Sequence, residues 1–134
     1  MDHYFKKMKI KLINLKSAKS TNDEAIKLIK KNKEIPSIIF TENQTKGRGT
    51  MGKKWVSKKG NLYLTIYFEI DQKKINFKHY AVINAYLLKY IIRKNYSDQV
   101  QIKWPNDLLI KKKKFCGILQ EVLQNRKKTS WLLE

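Results

Sequence analysis

The sequence has 134 residues and a formal net charge of +19, with 30 Lys and Arg residues against 11 Asp and Glu residues. Its length and its 42% hydrophobic content predict one folded domain, and no apolar run approaches the roughly 20 residues that a membrane-spanning helix needs. The single cysteine, Cys116, excludes an intramolecular disulfide and a cysteine zinc site, and its apolar neighbours predict a small buried thiol.

The first half of the chain predicts a strand, a helix and two further strands. Imperfect alternation of apolar and polar residues over Lys9–Leu15 predicts the first strand. Ser20 or Thr21 can cap a helix that has acidic residues in its first turn, and a proline prevents its continuation. Two short runs of β-branched and aromatic residues predict strands at Ser37–Glu42 and Asn61–Phe68.

The second half predicts one long helix followed by strands. Apolar residues recur at helical spacing from Phe77 to about Asn95. The segments that then alternate or run apolar between turns predict strands at Val100–Trp104, Leu108–Ile110, Lys114–Leu123 and Thr129–Glu134. The order βαβ–loop–β–α–ββββ predicts an α+β domain with a mixed or antiparallel central sheet and helices packed on one face.

A glycine-dense basic loop, Thr45–Trp55, joins the second and third predicted strands. Three of the five glycines fall in it, Gly47, Gly49 and Gly52. Glycine lets a backbone approach a ligand closely and adopt left-handed dihedral angles, and the surrounding lysines and Arg48 add positive charge. Such a loop suits an anionic ligand such as a phosphate, although it lacks the ending of a Walker loop. A flexible basic hairpin connection is the simpler interpretation, and the loop alone leaves both open.

Three other polar clusters lie at the ends of predicted elements: Ser20–Asn22, Lys103–Asp107 and Lys114. Taken singly, each has a structural interpretation. The first is an ordinary helix cap, and the second contains a common Pro-Asn-Asp turn. The lysines belong to a chain that is rich in lysine throughout.

Taken together and in this order, these segments closely resemble the catalytic domain of biotin protein ligases. The Gly-Arg-Gly loop is a weak indication alone, but it becomes specific beside Lys-Trp-Pro-Asn-Asp and a downstream Lys-x-x-Gly-Ile-Leu. The resemblance covers essentially the whole chain and implies the class II synthetase-like fold of that family. The matching segments are Ser20–Asn22, Gln44–Gly49, Lys54–Trp55, Gly60–Leu64, Lys103–Leu108 and Lys114–Glu121.

The resemblance implies an ATP-dependent ligase that works in two steps. Biotin and ATP would form biotinyl-5′-adenylate, and biotin would then pass to a lysine of the biotin carboxyl carrier protein or domain of acetyl-CoA carboxylase. It implies Mg²⁺ with the ATP, and we expect a monomer or homodimer. The sequence shows no signal peptide and no membrane span, so we expect a cytoplasmic location and no membrane partner. The nearest alternative is a lipoate–protein ligase, which shares the fold and the adenylate chemistry.

The resemblance also implies roles for individual residues. The catalytic set is Lys114, Arg48 and Asp107. The biotin-binding set is Ser20, Thr21, Asn22, Gln44, Arg48, Gly49, Thr50 and Lys114. The nucleotide-binding set is Gly47, Lys53, Trp55, Lys103 and Asn106. No residue is assigned with certainty to a metal.

Two departures from the family pattern bear on these expectations. Thr50 stands where many members carry a second arginine, which removes one cation from the phosphate side. Family members also continue past the last predicted strand, so the resemblance implies that residues 1–134 form a C-terminally short catalytic domain. The DNA-binding winged helix of regulatory members is absent from the sequence, so no DNA partner is expected. A truncated biotin-binding pseudo-enzyme is a further alternative.

The positive charge leaves one alternative from another class, a small basic nucleic-acid-binding protein. Only three of the basic residues are arginines, Arg48, Arg93 and Arg126. Arginine carries most bidentate recognition of phosphates and base edges. The charge therefore favours a generally basic surface over a nucleic-acid site.

Overall fold

The computed structural model describes residues 9–33, 36–71, 73, 76–125 and 128–134. Within them lie two helices, eight strands and a short 3₁₀ turn at Thr50–Gly52. The helices are α1 (Thr21–Lys30) and α2 (Phe77–Asn95). The strands are β1 (Lys11–Asn14), β2 (Ser37–Thr41), β3 (Tyr63–Ile70), β4 (Val100–Lys103), β5 (Asp107–Ile110), β6 (Lys113–Gly117), β7 (Gln120–Asn125) and β8 (Lys128–Leu133).

These elements form two compact units, which we call unit 1 and unit 2. Unit 1 lies within residues 1–70 and 120–134, and unit 2 within residues 71–119. The assignment of residues 1–134 to a single catalytic domain stays a prediction.

Unit 1 is a five-stranded mixed sheet in the order β1-β2-β3-β8-β7. β1 and β2 run parallel and are joined through α1, and the other neighbours run antiparallel. Burial alternates along β2 and β3, as expected for strands with one covered face. Helix α1 covers that face, and its buried Ala25 and Ile29 pack with Ile39, Tyr67 and Leu132 to form the core.

Local chemistry accounts for both ends of α1. Ser20 precedes it with extended dihedral angles, and its hydroxyl accepts a hydrogen bond from the Asp23 backbone N–H at 3.3 Å. At the other end Asn32 adopts a positive φ of 57°, and the Lys33 N–H returns to the Leu28 carbonyl at 3.0 Å. The predicted helix and its cap are therefore confirmed.

Unit 2 is a three-stranded antiparallel sheet, β4-β5-β6, with α2 packed against β4 and β5. Lys111 and Lys112 form the turn between β5 and β6, both at positive φ. Helix α2 has the bounds that the apolar spacing predicts, Phe77–Asn95. No helix in the described parts of the chain has the length and apolar character needed to cross a bilayer.

The predicted α+β class is confirmed, but one predicted strand is wrong. The segment Lys114–Leu123 is not continuous: β6 ends at Gly117 and β7 begins at Gln120, in a different sheet. The break follows from Ile118, whose N–H donates to the Asn106 carbonyl at 2.8 Å and whose carbonyl accepts from Asn106 Nδ2 at 2.8 Å. With both backbone groups bound to Asn106, Ile118 is unavailable to a continuous strand.

Candidate active site

The start of α1 lies beside the segment that leads into the glycine loop, because parallel pairing continues beyond β1 and β2. Ala18 N–H donates to the Asn43 carbonyl at 3.0 Å, and Thr45 N–H returns to the Ala18 carbonyl at 3.0 Å. Lys46 N–H donates to the Lys19 carbonyl at 2.7 Å. These bonds hold the first residues of α1 next to Gln44.

The Ser-Thr-Asn cluster divides into a cap and two buried polar side chains. Ser20 performs the capping. Thr21 and Asn22 are fully buried, and their side chains make tertiary hydrogen bonds instead. An ordinary cap explains the first residue of the cluster and leaves the other two unexplained.

Gln44 links the helix start to the loop. It is 3% exposed, its Oε1 accepts from the Thr21 backbone N–H at 2.9 Å, and its Nε2 donates to Ser57 Oγ at 3.3 Å. The fully buried Thr65 hydroxyl lies 2.8 Å from Thr21 Oγ1 and 2.7 Å from Asn22 Oδ1. Because Asn22 Oδ1 can only accept, Thr65 can donate its single proton to Asn22 and accept from the Thr21 hydroxyl. Buried polar groups of this density are sustained only by such mutual bonding.

The same network reaches the loop arginine through Glu121 on β7. Asn22 Nδ2 donates to Glu121 Oε2 at 2.7 Å. Arg48 donates to both oxygens of that carboxylate, from Nε to Oε1 at 3.1 Å and from Nη2 to Oε2 at 2.7 Å. Its Nη1 pairs with Asp23. Hydrogen bonding to Glu121, against the opposing effect of burial, raises the pKa of Arg48, so the guanidinium is permanently charged.

We call Thr21, Asn22, Gln44, Arg48, Thr65 and Glu121 the polar network. All six belong to unit 1. A further carboxyl borders it: Glu134 Oε1 lies 3.3 Å from Thr21 Oγ1. Burial raises the pKa of Glu134 above its ordinary value, while hydrogen bonding from Gln44 and Thr21 acts in the opposite direction.

The glycine loop is folded onto itself. Trp55 N–H donates to the Gly47 carbonyl at 3.0 Å, and Gly49 N–H donates to the Lys53 carbonyl at 2.6 Å. Of its three glycines only Gly52 has a positive φ, 72°. Gly47 is needed for space, because a Cβ there would lie 2.6 Å from both Gln44 Nε2 and Ser57 Oγ. The loop is therefore a small closed hairpin that packs against the polar network.

In unit 2 the structure brings two of the expected residues into contact. Lys114 Nζ lies 2.8 Å from Asp107 Oδ1, across the β5–β6 pair. Asn106 uses its amide nitrogen on the Ile118 carbonyl, and Lys103 is exposed at the end of β4. Cys116 is half-buried, not fully buried as the sequence predicted. Burial, followed by the negative charge of Asp107, raises the pKa of its thiol, so it is a poor nucleophile.

The sequence-based site residues thus fall into two groups. Those in unit 1 are Ser20, Thr21, Asn22, Gln44, Gly47, Arg48, Gly49, Thr50, Lys53 and Trp55, and those in unit 2 are Lys103, Asn106, Asp107 and Lys114. Four of the first group enter the polar network, whereas Thr50 and Lys53 are exposed. In the described ranges no group of three or more His, Cys, Asp or Glu side chains is placed to hold a metal.

Sequence reasoning missed two members of the polar network. Thr65 stands at an inward position of alternating β3, where a polar residue among apolar neighbours was the available signal. Glu121 lies at the end of the Gly-Ile-Leu-Gln-Glu segment that carries the family resemblance. Neither residue is close in sequence to the groups that it binds.

Comparison with known sequences identifies the family. Residues 14–132 match the model of the biotin/lipoate A/B protein ligase family. The bifunctional ligase/repressor BirA of Escherichia coli (strain K12) is 35% identical over 104 residues, which are 77% of this chain and 32% of that protein. BirA of Salmonella typhimurium (strain LT2) is 38% identical over 82 residues, 60% of this chain and 26% of that protein. The chain thus spans about a quarter to a third of the length of these relatives.

Solved structures give the same result. Biotin protein ligase from Aquifex aeolicus, in complex with biotin and ATP, aligns with a TM-score of 0.72 and 27% identity over 92% of this chain and 50% of that chain. The Helicobacter pylori biotin acetyl coenzyme A carboxylase synthetase with bound biotinylated ATP aligns with a TM-score of 0.77 over 93% of this chain and 60% of that chain. Its 23% identity supports the fold alone. With the family model matching nearly its whole length, the chain belongs to the biotin/lipoate A/B protein ligase family.

Proposed function

We propose that this chain acts as a biotin–protein ligase, which activates biotin with ATP and transfers it to a lysine of the biotin carboxyl carrier domain of acetyl-CoA carboxylase. The polar network carries the proposal. The ureido group of biotin has one carbonyl acceptor and two N–H donors. The hydroxyl of Thr21 and the amide of Gln44 can each both donate and accept, which suits a ligand of that mixed character.

The first step joins biotin to AMP. A carboxylate oxygen of biotin attacks the α-phosphorus of ATP, a bond forms between them, and pyrophosphate leaves with the electrons of the broken P–O bond. The step needs cations, because a carboxylate and a triphosphate repel each other. We assign this work to Arg48 and Lys114, with Lys53 and Lys103 on the nucleotide side.

The second step makes the amide. The uncharged lysine amine of the carrier attacks the acyl carbon, AMP leaves, and the nitrogen loses a proton. We assign orientation of the amine and of the phosphates to Asp107 and Asn106, and nucleotide packing to Trp55 and the loop backbone at Gly47 and Gly49. Mg²⁺ neutralises phosphate charge when it binds with ATP, and the carboxylate of Asp107 is the kind of oxygen ligand that it takes.

Biotin is favoured over lipoate by the polarity of the network. The dithiolane ring of lipoate has no N–H or carbonyl, so it could not replace any hydrogen bond that Thr21 or Gln44 gave up to admit a ligand, which costs affinity. The similarity to the ligase from Aquifex aeolicus, which was solved in complex with biotin and ATP, also favours biotin. We further propose a cytoplasmic location, and a monomer or homodimer.

The decisive experiment is biotin-dependent exchange of labelled pyrophosphate into ATP by the purified chain. We expect exchange with biotin and none with lipoate. Lys114→Met should remove at least about 90% of it by deleting a cation that stabilises the developing charge. Lys113→Met, at the neighbouring exposed position of β6, is the matched control and should keep most of it.

Three outcomes would contradict the assignment in different ways. Exchange driven by lipoate would establish the alternative ligase. Biotin that raises the melting temperature without any exchange would indicate a binding pseudo-enzyme. An affinity for DNA that falls steeply with salt, with no response to biotin, would favour the nucleic-acid-binding protein.

A further inference from the structure

Glu121 occupies a position that connects the two ends of the polar network. Its carboxylate accepts three hydrogen bonds, one from Asn22 Nδ2 at the start of α1 and two from Arg48 in the glycine loop. Asn22 and Arg48 Nη2 donate to the same oxygen, each at 2.7 Å. Glu121 and Arg48 together thus join the helix start, the loop and the β7 strand.

We propose that Glu121 is a positioning residue, which fixes the guanidinium of Arg48 so that its Nη1 edge is presented to the anionic group of the substrate. The inference rests on the proposed function, because it concerns the carboxylate of biotin and the α-phosphate of its adenylate. In the absence of substrate Asp23 binds Arg48 Nη1, and the anionic group of the substrate replaces it.

The geometry separates the roles of the two carboxylates. A guanidinium bound through Nε and Nη2 to both oxygens of one carboxylate cannot rotate in its plane, so the direction of the remaining Nη1 donor is fixed. Glu121 is itself held by Asn22, which is fully buried. Asp23 binds only Nη1, and its side chain is 44% exposed, so water can compete for it.

The charges of these groups also support replacement of Asp23 by the substrate anion at Arg48 Nη1. One guanidinium faces two carboxylates, so these three groups together carry a negative charge before any ligand binds. A substrate anion could not approach unless one carboxylate withdrew. Asp23 can turn towards solvent from the first turn of α1, where the helix dipole favours its charge. Glu121 cannot withdraw without breaking its bond to Asn22.

The pairing is tested first without any ligand, by NMR of the arginine side chains in the full chain. The chain has three arginines, which makes assignment direct. We expect slow solvent exchange of the Arg48 Nε proton, retained in Asp23→Asn and lost in Glu121→Gln. Rapid exchange of this proton in the unmodified chain would overturn the proposal, whatever the folding of the variants.

The positioning role is then tested with two probes that differ in charge at one end. The first is a non-hydrolysable biotinyl sulfamoyl adenylate, whose acyl sulfamate carries the negative charge, and the second is biotinol, in which an alcohol replaces the carboxylate. Glu121→Gln should weaken binding of the first by about tenfold, the value of one charge-assisted hydrogen bond, and of biotinol by less than about twofold. Asp23→Asn should not weaken either.

A double-mutant cycle separates positioning from a general structural effect. If Glu121 acts through Arg48, then adding Glu121→Gln to Arg48→Met should cost less than about twofold beyond Arg48→Met alone. If the double variant lost affinity by the product of the two single-variant losses, or if Glu121→Gln weakened both probes equally, the inference would be wrong while the proposed function remained intact. If the unmodified chain bound neither probe, the proposed function and the positioning role would both be wrong.

Discussion

Replacing Gly47 by alanine should cost far more stability than the same change at Gly49, two residues along the loop. A Cβ at residue 47 would lie 2.6 Å from Gln44 Nε2 and 2.6 Å from Ser57 Oγ, well inside the contact distance of about 3.5 Å for heavy atoms. Gln44 has little freedom to move aside, because it is 3% exposed and its Oε1 holds the Thr21 N–H at 2.9 Å. At Gly49 the nearest atom to a Cβ is 3.6 Å away, and the extended dihedral angles suit alanine.

The magnitude follows from these contacts. Displacing Gln44 leaves a buried donor or acceptor unpaired, at about 1–3 kcal/mol, and the remaining overlap adds about 1–3 kcal/mol. We therefore expect Gly47→Ala to lower the free energy of unfolding by about 2–6 kcal/mol, and Gly49→Ala to leave it unchanged or raise it by up to about 1 kcal/mol. Urea unfolding followed by tryptophan fluorescence measures both. If the free energies of unfolding of the two variants agreed within about 0.5 kcal/mol, the claim that Gly47 is required for space would be wrong.

Three further perturbations test other parts of the two units. Thr65→Val keeps the shape but removes the buried hydroxyl, so it should cost about 1–3 kcal/mol of unfolding free energy, whereas Thr45→Val, at an exposed position, should cost less than about 0.5 kcal/mol. Because burial raises the pKa of Cys116, its reaction with a disulfide reagent should be slow at pH 8 and still accelerating at pH 9; a plateau below pH 8 would contradict this. Because burial raises the pKa of Glu134, ionisation opposes folding. The stability of the native chain should therefore fall relative to Glu134→Gln as pH rises above the unfolded-state pKa of about 4.5, and a difference that is the same at pH 4 and pH 8 would exclude this cause.

The parts that the sequence predicted are those with local causes. The cap at Ser20, the acidic first turn of α1 and the apolar spacing of α2 all act within a few residues, and the structure confirms these elements. The β6–β7 break had no local signal. Its cause is Asn106, which lies 12 residues before the Ile118 that it binds.

The same distinction explains which site residues were found. Gln44 was assigned through a motif, and its contact with Thr21 spans 23 residues. Glu121 lies 99 residues from Asn22 and 73 from Arg48, so no periodicity or spacing rule could pair them. Composition indicated a basic chain, whereas at Arg48 two carboxylates exceed one guanidinium, a local reversal that only the folded structure shows.

The buried polar network leads to a last prediction, about the effect of salt on biotin binding. An interior built for stability alone would not bury Thr21, Asn22, Gln44 and Thr65, since well-packed apolar residues of similar shape would be equally stable or more so. The network therefore suits a largely uncharged ligand end rather than a polyanion. Between 50 and 200 mM NaCl we expect the biotin Kd to change by less than about threefold, because hydrogen bonds to the ureido group are not screened. A nucleic acid held through about 6–10 phosphate contacts would lose about 10³-fold or more in affinity over the same range. Loss of biotin binding on that scale would show that the lysine-rich surface, and not the buried network, provides the affinity.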